Sequence, residues 1–278
     1  MIGILLASLG TLFDECSKLI GKKKVTERQE SIFTWGFLDL FWVVLAFFAV
    51  ALLVPGSFRF VAASLATFIP RLVLEVAQAH LTVKAAALAA RSTFSFIRSL
   101  TIPLLLVVDV FLGYALSLSQ IAGLGLIVIT LLFLFANHGI EREGRGYVLF
   151  TAVNAVATIS LYKYNITHFN SVVAEQLIIM LVLMAYFFVN AYYRAHENPF
   201  RFFRQPIFIA QSLGMGVAVA LESFAFVFAP ASIITAVKRA SAILWSVLSG
   251  NLYFHEKNLL IKLGTFVVLA LGIGLLIW

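Results

Sequence analysis

The sequence predicts an all-α polytopic membrane protein with ten transmembrane helices, built as two inverted five-helix repeats around a central cavity. Three observations carry the membrane part of that prediction. The 278 residues fall into ten apolar stretches of roughly 20 residues each, the length that spans a bilayer. The composition is 62% hydrophobic and 12% charged, with a mean hydropathy of +1.01, whereas a soluble domain carries about 25% charged residues. A water-soluble fold of this length has no way to hide so much apolar surface. No stretch alternates with the period of two that a barrel strand requires, so helices must satisfy the backbone in lipid.

In chain order the spans are placed at about 2–20, 31–54, 62–87, 91–113, 118–137, 146–164, 171–193, 205–229, 232–254 and 259–278, with ends good to a few residues. The first lacks a basic leader and carries Asp14, Glu15 and Lys18 where a signal-cleavage site needs small neutral residues, so it is expected to remain in the mature protein. The third and fourth are interrupted by Arg71, Glu75, Lys84 and Arg91. Asp39 and Glu175, near the starts of the second and seventh, read as interfacial, and Asp109 lies near the end of the fourth. The eighth has a stripe of Ser212, Gly216 and Ala220, small residues that let another helix approach closely. The 27 Phe read chiefly as lipid-facing filler. Cys16 is the single cysteine, which excludes an internal disulfide.

The net charge of +7 is dispersed over helix ends instead of lining one face, which excludes a nucleic-acid partner. It reads as a topology signal. After the odd spans come Lys22, Lys23, Lys24, Arg28, Lys84, Arg91, Arg142, Arg145, Arg194, Arg201, Arg204 and Lys257; after the even spans come only Arg59 and Lys163. Twelve against two places the odd connections in the cytoplasm and both termini on the far face. Glu27, Glu30, Glu141 and Glu143 do not cancel the bias, because acidic residues contribute little to it.

Shifting the chain by 141 residues lays span one on six, two on seven and so on to five on ten, with Gly123 on Gly264 and Arg98 on Arg239. An odd number of spans per half forces the halves, residues 1–137 and 146–278, to enter the membrane in opposite senses. Such inverted repeats place a solute site near the midplane between them.

Residues 220–257, ALESFAFVFAPASIITAVKRASAILWSVLSGNLYFHEK, and the apolar segment that follows resemble the second half of EamA-type members of the drug/metabolite transporter superfamily. The resemblance rests on Ala229-Pro230-Ala231-Ser232, Lys238-Arg239, Gly250, His255-Glu256-Lys257 and Gly264, and more loosely on Asp14 to Lys18, Pro103 and Gly123 in the first half. The chain departs from it at Ala115, where the family has an acidic residue, and at Arg98. The resemblance implies that spans one, three, four, six, eight and nine surround a cavity while five and ten lie outside.

Ionisable groups inside spans are costly unless paired or wetted, so they are the first candidates for chemistry. Asp14 with Lys18 and Arg71 with Glu75 are four apart and stack on one helix face, where they can neutralise each other. Lys238 and Arg239 point about 100° apart, so at least one should face the bundle. Arg98 would approach Arg239 across the pseudo-two-fold axis, with Glu75 and Glu222 as counterions. The substrate-binding set is therefore Asp14, Glu75, Gln78, Arg98, Asn154, Glu222, Lys238 and Arg239, with Gln211 and Ser241 as weaker hydrogen-bonding candidates.

Metalloprotease, hydrolase and phosphate-loop patterns are missing, and His80, His138, His168, His196 and His255 have no ligand-like spacing. No enzyme, metal or cofactor is expected. The expected function is a secondary transporter of the cell membrane, a multi-pass exporter of a small metabolite by alternating access, with lipids and a coupling proton as partners. A flippase for a lipid-linked intermediate and a non-transport enzyme or structural subunit are the alternatives.

Overall fold

The computed structural model describes residues 2–111, 117–136, 140–228, 231–255 and 258–277. Ala115, His138, Ala229, Pro230, Glu256, Lys257 and Trp278 lie outside the described residues, as do the side chains of Asp109, Ala231 and Ser232. All regular structure among the described residues is helical: α1 (Ile2–Thr26), α2 (Ile32–Leu53), α3 (Leu65–Leu88), α4 (Arg91–Arg98), α5 (Thr101–Phe111), α6 (Leu118–Ala136), α7 (Arg145–His168), α8 (Val172–Arg194), α9 (Pro206–Phe228), α10 (Ala231–Phe254) and α11 (Leu259–Ile277), with 3-10 turns at Ala62–Ser64 and Pro199–Arg204. Among the described residues four segments are long and apolar enough to cross a membrane: Ile32–Leu53, Arg91–Val108, Val172–Arg194 and Pro206–Phe228. Ile121–Phe133 and Leu259–Leu275 are apolar but shorter.

Local chemistry sets the ends. Ser31 and Ser171 cap α2 and α8 by accepting from the backbone N–H of Thr34 and Ala174, each at 3.2 Å. Pro206 opens α9, where its missing N–H costs nothing. Gly144 takes a left-handed φ of +70° before α7, and a Cβ there would stand 2.8 Å from the backbone nitrogen of Ala89.

The fourth expected span is one apolar segment, Arg91–Val108, whose helix is interrupted at Ser99 and Leu100 for a clear cause. A continuous helix would drive the Pro103 ring into the carbonyl of Ser99 and leave that acceptor without its N–H. The chain instead tightens: Ser99 accepts from the Ile102 N–H at 2.9 Å, and the Thr101 hydroxyl donates to the Arg98 carbonyl at 2.6 Å. α4 and α5 result. α10 has no proline and runs unbroken.

Packing is dominated by pairs distant in sequence. α1 lies along α9, α2 against α8 and α9, α3 against α7, α6 against α11, and α10 touches α1, α4 and α11. The α1–α9 seam is close because Gly3, Gly10 and Ser17 recur every seven residues: Gly3 faces the Ala225 carbonyl, Gly10 the Ala218 carbonyl, and Ser17 donates to the Gln211 carbonyl at 2.8 Å. The small stripe of α9 packs on α2, where the Ser212 hydroxyl donates to the Leu38 carbonyl and Gly216 meets Trp42. The phenylalanines are not mainly filler. Phe37, Phe47, Phe96, Phe187 and Phe208 are fully buried, and rings such as Phe41 and Phe203, 4.6 Å apart, fill the space that small residues open between helices.

Hydrogen bonds between connections define the two ends of the bundle. At one end Glu197 accepts from Ser31 and Thr34, Lys22 donates to the Ala89 carbonyl, and the Glu141 N–H donates to Thr93. At the other, Ser171 exchanges backbone and side-chain bonds with Arg59, and Asn170 bonds Val61 and Ser64. The first end collects the connections after the odd spans, where the basic residues are concentrated. Two of those residues are not surface signals, since Lys22 and Arg91 are buried.

A Cβ at Gly216 would stand 2.8 Å from the Trp42 Cβ and 3.3 Å from the Val43 backbone nitrogen, whereas at Gly125 it would meet nothing. Gly216→Ala is therefore expected to destabilise by about 1–3 kcal/mol through overpacking, and Gly125→Ala to be neutral or mildly stabilising through helix propensity. Thermal unfolding in detergent micelles checks both; equal melting temperatures would show that α2 and α9 are not in close contact.

Candidate functional site

A cavity of about 300 Å³ opens among α2, α3, α4, α7, α8, α9 and α10, a volume at the small end of ligand pockets. Its charged lining comprises the carboxylates Asp39, Glu75 and Glu222 and the cations Arg71, Arg98, Lys238 and Arg239. α6 and α11 contribute no lining residue, and neither does α1, which the resemblance had placed at the cavity; α2 and α8 take its place. The cause is the glycine seam. Where α1 faces α9 it presents Gly10, so the wall there is the Glu222 side chain, whose Cγ would lie 2.7 Å from any Cβ at residue 10.

Most of the charge is internally answered. Lys238 and Glu222 form an ion pair at 2.5 Å between α10 and α9. The expected Arg71–Glu75 pair forms at 3.4 Å, but Arg71 bonds more closely to Glu175, at 2.6 Å, because Glu175 is fully buried and has no water to offset its charge. Asn165 and Asn170 add hydrogen bonds of 2.7 and 2.6 Å to the same carboxylate. Glu175, in the first turn of α8, is thus buried in the protein. Asp39 faces the cavity and accepts from Ser17 at 3.4 Å. Outside the cavity, Glu15 takes a forked bond from Arg91, at 3.1 and 2.6 Å, and a third from Ser249 of α10 at 2.8 Å.

Glu75, Gln78, Arg98, Glu222, Lys238 and Arg239 line the cavity. Asp14 and Asn154 do not. Asp14 is held by Lys18 at 2.5 Å. Asn154 stands behind Gln78, donating to its Oε1 at 2.9 Å and to the Leu74 carbonyl at 3.0 Å, while Gln78 donates to the Thr151 carbonyl at 3.1 Å. Gln211 is buried on Glu30 and away from the cavity, and Ser241 is not among the lining residues. Sequence reading missed Thr82, Tyr162 and Gln176; the available signal was their position on the cavity-facing stripe that contains Arg71 and Glu75, or on the helices packed against it. Tyr162 holds the Arg71 guanidinium over its ring at 4.6 Å.

Several polar atoms of this lining are buried without a hydrogen-bond partner among the described residues: Thr82 Oγ1, Gln176 Oε1, and the Nε atoms of Arg71, Arg98 and Arg239. Buried polar groups are normally satisfied, so their concentration here marks a surface built to meet polar atoms that come from elsewhere. Among the described residues no group of His, Cys, Asp and Glu could hold a metal ion. No family model matches the chain, and no curated protein matches it.

At the odd-connection end, in the loop before α2, burial pushes the Glu30 carboxyl up to about 9, reinforced by the charges of Asp39 and Glu197 and opposed by a bond from Gln211 and by Lys24. The folded protein then holds a proton that the unfolded chain, at the ordinary 4.5, releases. This contribution to stability is fully present below about 4.5 and is lost as pH rises through about 9. Glu30→Gln removes the dependence, so its melting temperature should gain on the wild type between pH 5 and pH 9; parallel curves would mean that Glu30 titrates normally.

The charge pairs should separate by their role. Arg91→Gln leaves Glu15 buried without its guanidinium and is expected to cost about 3–5 kcal/mol. Arg239→Gln, which breaks no ion pair, should melt close to the wild type. Similar losses in both would make Arg239 a structural residue.

Proposed function

We propose that the chain is a secondary transporter of the cell membrane, of the EamA-like drug/metabolite type, which moves a small metabolite outward by alternating access. The observation that carries this reading is the cavity itself: ionisable side chains on five different helices, Asp39, Glu75, Arg98, Glu222 and Lys238 among them, converge at its walls. Charged residues within apolar helices are expensive and mark solute or ion pathways.

The helix neighbourhoods support an inverted repeat of five spans, with α4 and α5 together forming the fourth. Advancing every span by five turns the α1–α9 contact into α7–α3, α1–α10 into α7 with α4 and α5, and α2–α9 into α8–α3; all of these are contacts of the bundle. The pairs α2–α8, α4–α10 and α6–α11 map onto themselves, as elements on a two-fold axis must. The capping serines Ser31 and Ser171 begin equivalent helices, and their partners lie at opposite ends of the bundle, Glu197 for one and Arg59 for the other. Transporters of this plan rock one set of helices against another around a fixed central site.

Two measurements test the reading. With Cys16→Ala as background, an impermeant maleimide applied to intact cells should label a cysteine placed at Gly56 and spare one placed at Arg201, because the basic end is the cytoplasmic one; the reverse pattern inverts the assigned orientation. Purified protein in liposomes should exchange labelled solute from a metabolite panel, and Glu222→Gln should cut that flux at least about tenfold, the loss expected on removing a charge-assisted contact. A panel that yields no flux in the wild type would return the chain to the structural or enzymatic classes.

A further inference from the structure

The cavity holds an imbalance that fixes the chemistry of what it accepts. Arg98 of α4 and Arg239 of α10 both face it. Neither has an ion-pair partner among the described residues, and each leaves its Nε without a hydrogen bond. The carboxylates within their electrostatic reach are Asp14, Glu222 and, for Arg98, Glu75. All three are engaged: Asp14 with Lys18, Glu222 with Lys238, and Glu75 with Arg71. Two guanidiniums that line one buried cavity, neither with an ion-pair partner, form an arrangement that an anion would relieve. A planar fork of donors on each suits the two oxygens of a carboxylate or the three of a phosphate.

The rest of the wall limits the body of that anion. Met180, Leu183, Phe187, Met215 and Val219 form an apolar side to the cavity. Thr82 Oγ1 and Gln176 Oε1, both without partners, add one hydroxyl and one acceptor. The lining therefore combines two guanidiniums that have no ion-pair partner with a set of apolar side chains.

We propose that Arg98 and Arg239 together form an anion subsite, and that the cavity takes a small amphipathic organic anion whose carboxylate or phosphate lies between the two guanidiniums and whose apolar body lies against Met180, Phe187 and Met215. This deepens the transporter reading and rests on it only for the crossing of the membrane. The anion completes a four-charge cluster in which the Lys238–Glu222 pair is already balanced, so its arrival joins α4 to α10 through a shared ligand. These two helices carry the residues that a shift of 141 positions superposes, and a ligand on the axis between them contacts both in the same way.

The test uses the purified full chain and four probes: benzoate, phenyl phosphate, and the neutral and cationic counterparts benzamide and benzylammonium. A ligand that binds only the folded state raises its melting temperature. Benzoate or phenyl phosphate should do so, and whichever binds more tightly separates carboxylate from phosphate recognition. Benzamide and benzylammonium should not. Arg98→Gln and Arg239→Gln should each weaken the anion by about 10- to 100-fold, the loss of a charge-assisted bond. Arg98→Lys and Arg239→Lys, which keep the charge and lose the fork, should weaken it less. Stabilisation by benzylammonium in place of the anions, or anion affinity unchanged in every variant that folds, overturns the subsite. Counterflow of labelled benzoate in liposomes separates the two claims: benzoate that binds without crossing defeats transport and leaves the subsite, whereas flux of benzylammonium without anion binding defeats the subsite and leaves transport.

Discussion

Buried charge in an apolar bundle has little water to turn to, and the arrangement of helices follows from how each charge is answered. Glu15 is answered by Arg91 and Ser249, which ties α1 to α4 and α10. Glu175 is answered by Arg71, Asn165 and Asn170, which ties α8 to α3 and the end of α7. Each cluster fixes three elements with one carboxylate, and removing a member leaves its partners uncompensated. The cavity lies where this accounting stops short. Glu222 and Lys238 close on each other, Glu75 shares Arg71 with Glu175, and the Arg98 and Arg239 guanidiniums are left over together with Asp39, which accepts from Ser17.

The small residues determine where that remainder faces. α1 reaches α9 through Gly3, Gly10 and Ser17, so it brings backbone and no long side chain to the site. α2 and α8 reach inward instead, with Asp39 and Phe187. Gly36 makes room for the Phe187 ring, which lies against the space a Cβ at residue 36 would occupy. A glycine on one helix thus sets the position of a large side chain on another.

Helical class and the general course of the helices were legible because ~20-residue apolar stretches admit few other structures. Arg98, Lys238 and Arg239 were legible as inward residues because a cation in an apolar helix is conspicuous. The partners of such residues were not. Arg71 has Glu75 one turn away on its own helix, and local spacing favours that pair; Glu175 wins from 104 positions along the chain because it is the more deeply buried charge. Asp39 and Glu175 sit near helix starts, which in sequence resembles a membrane interface, and the sequence does not show that one faces the cavity and the other is buried against Arg71. The break between α4 and α5 was present in Pro103, but proline in an apolar helix is often tolerated by its neighbours, and only the rearranged bonds at Ser99 and Thr101 show that it divides the helix.

The long-range pairing of the helices has a consequence for how the molecule comes into being. α1, α2, α3 and α6 find their principal neighbours in α9, α8, α7 and α11, and contacts within the first five spans are sparse. Loop closure must therefore precede most native contacts, which is the condition for slow assembly. Until the later helices are made, Glu15, Arg71 and Arg98 lack much of their final surroundings, and the early helices stay only loosely associated. Because α6 meets its partner α11 only after α7 to α10 have been made, folding of the first half is in this sense a deferred event completed by the second.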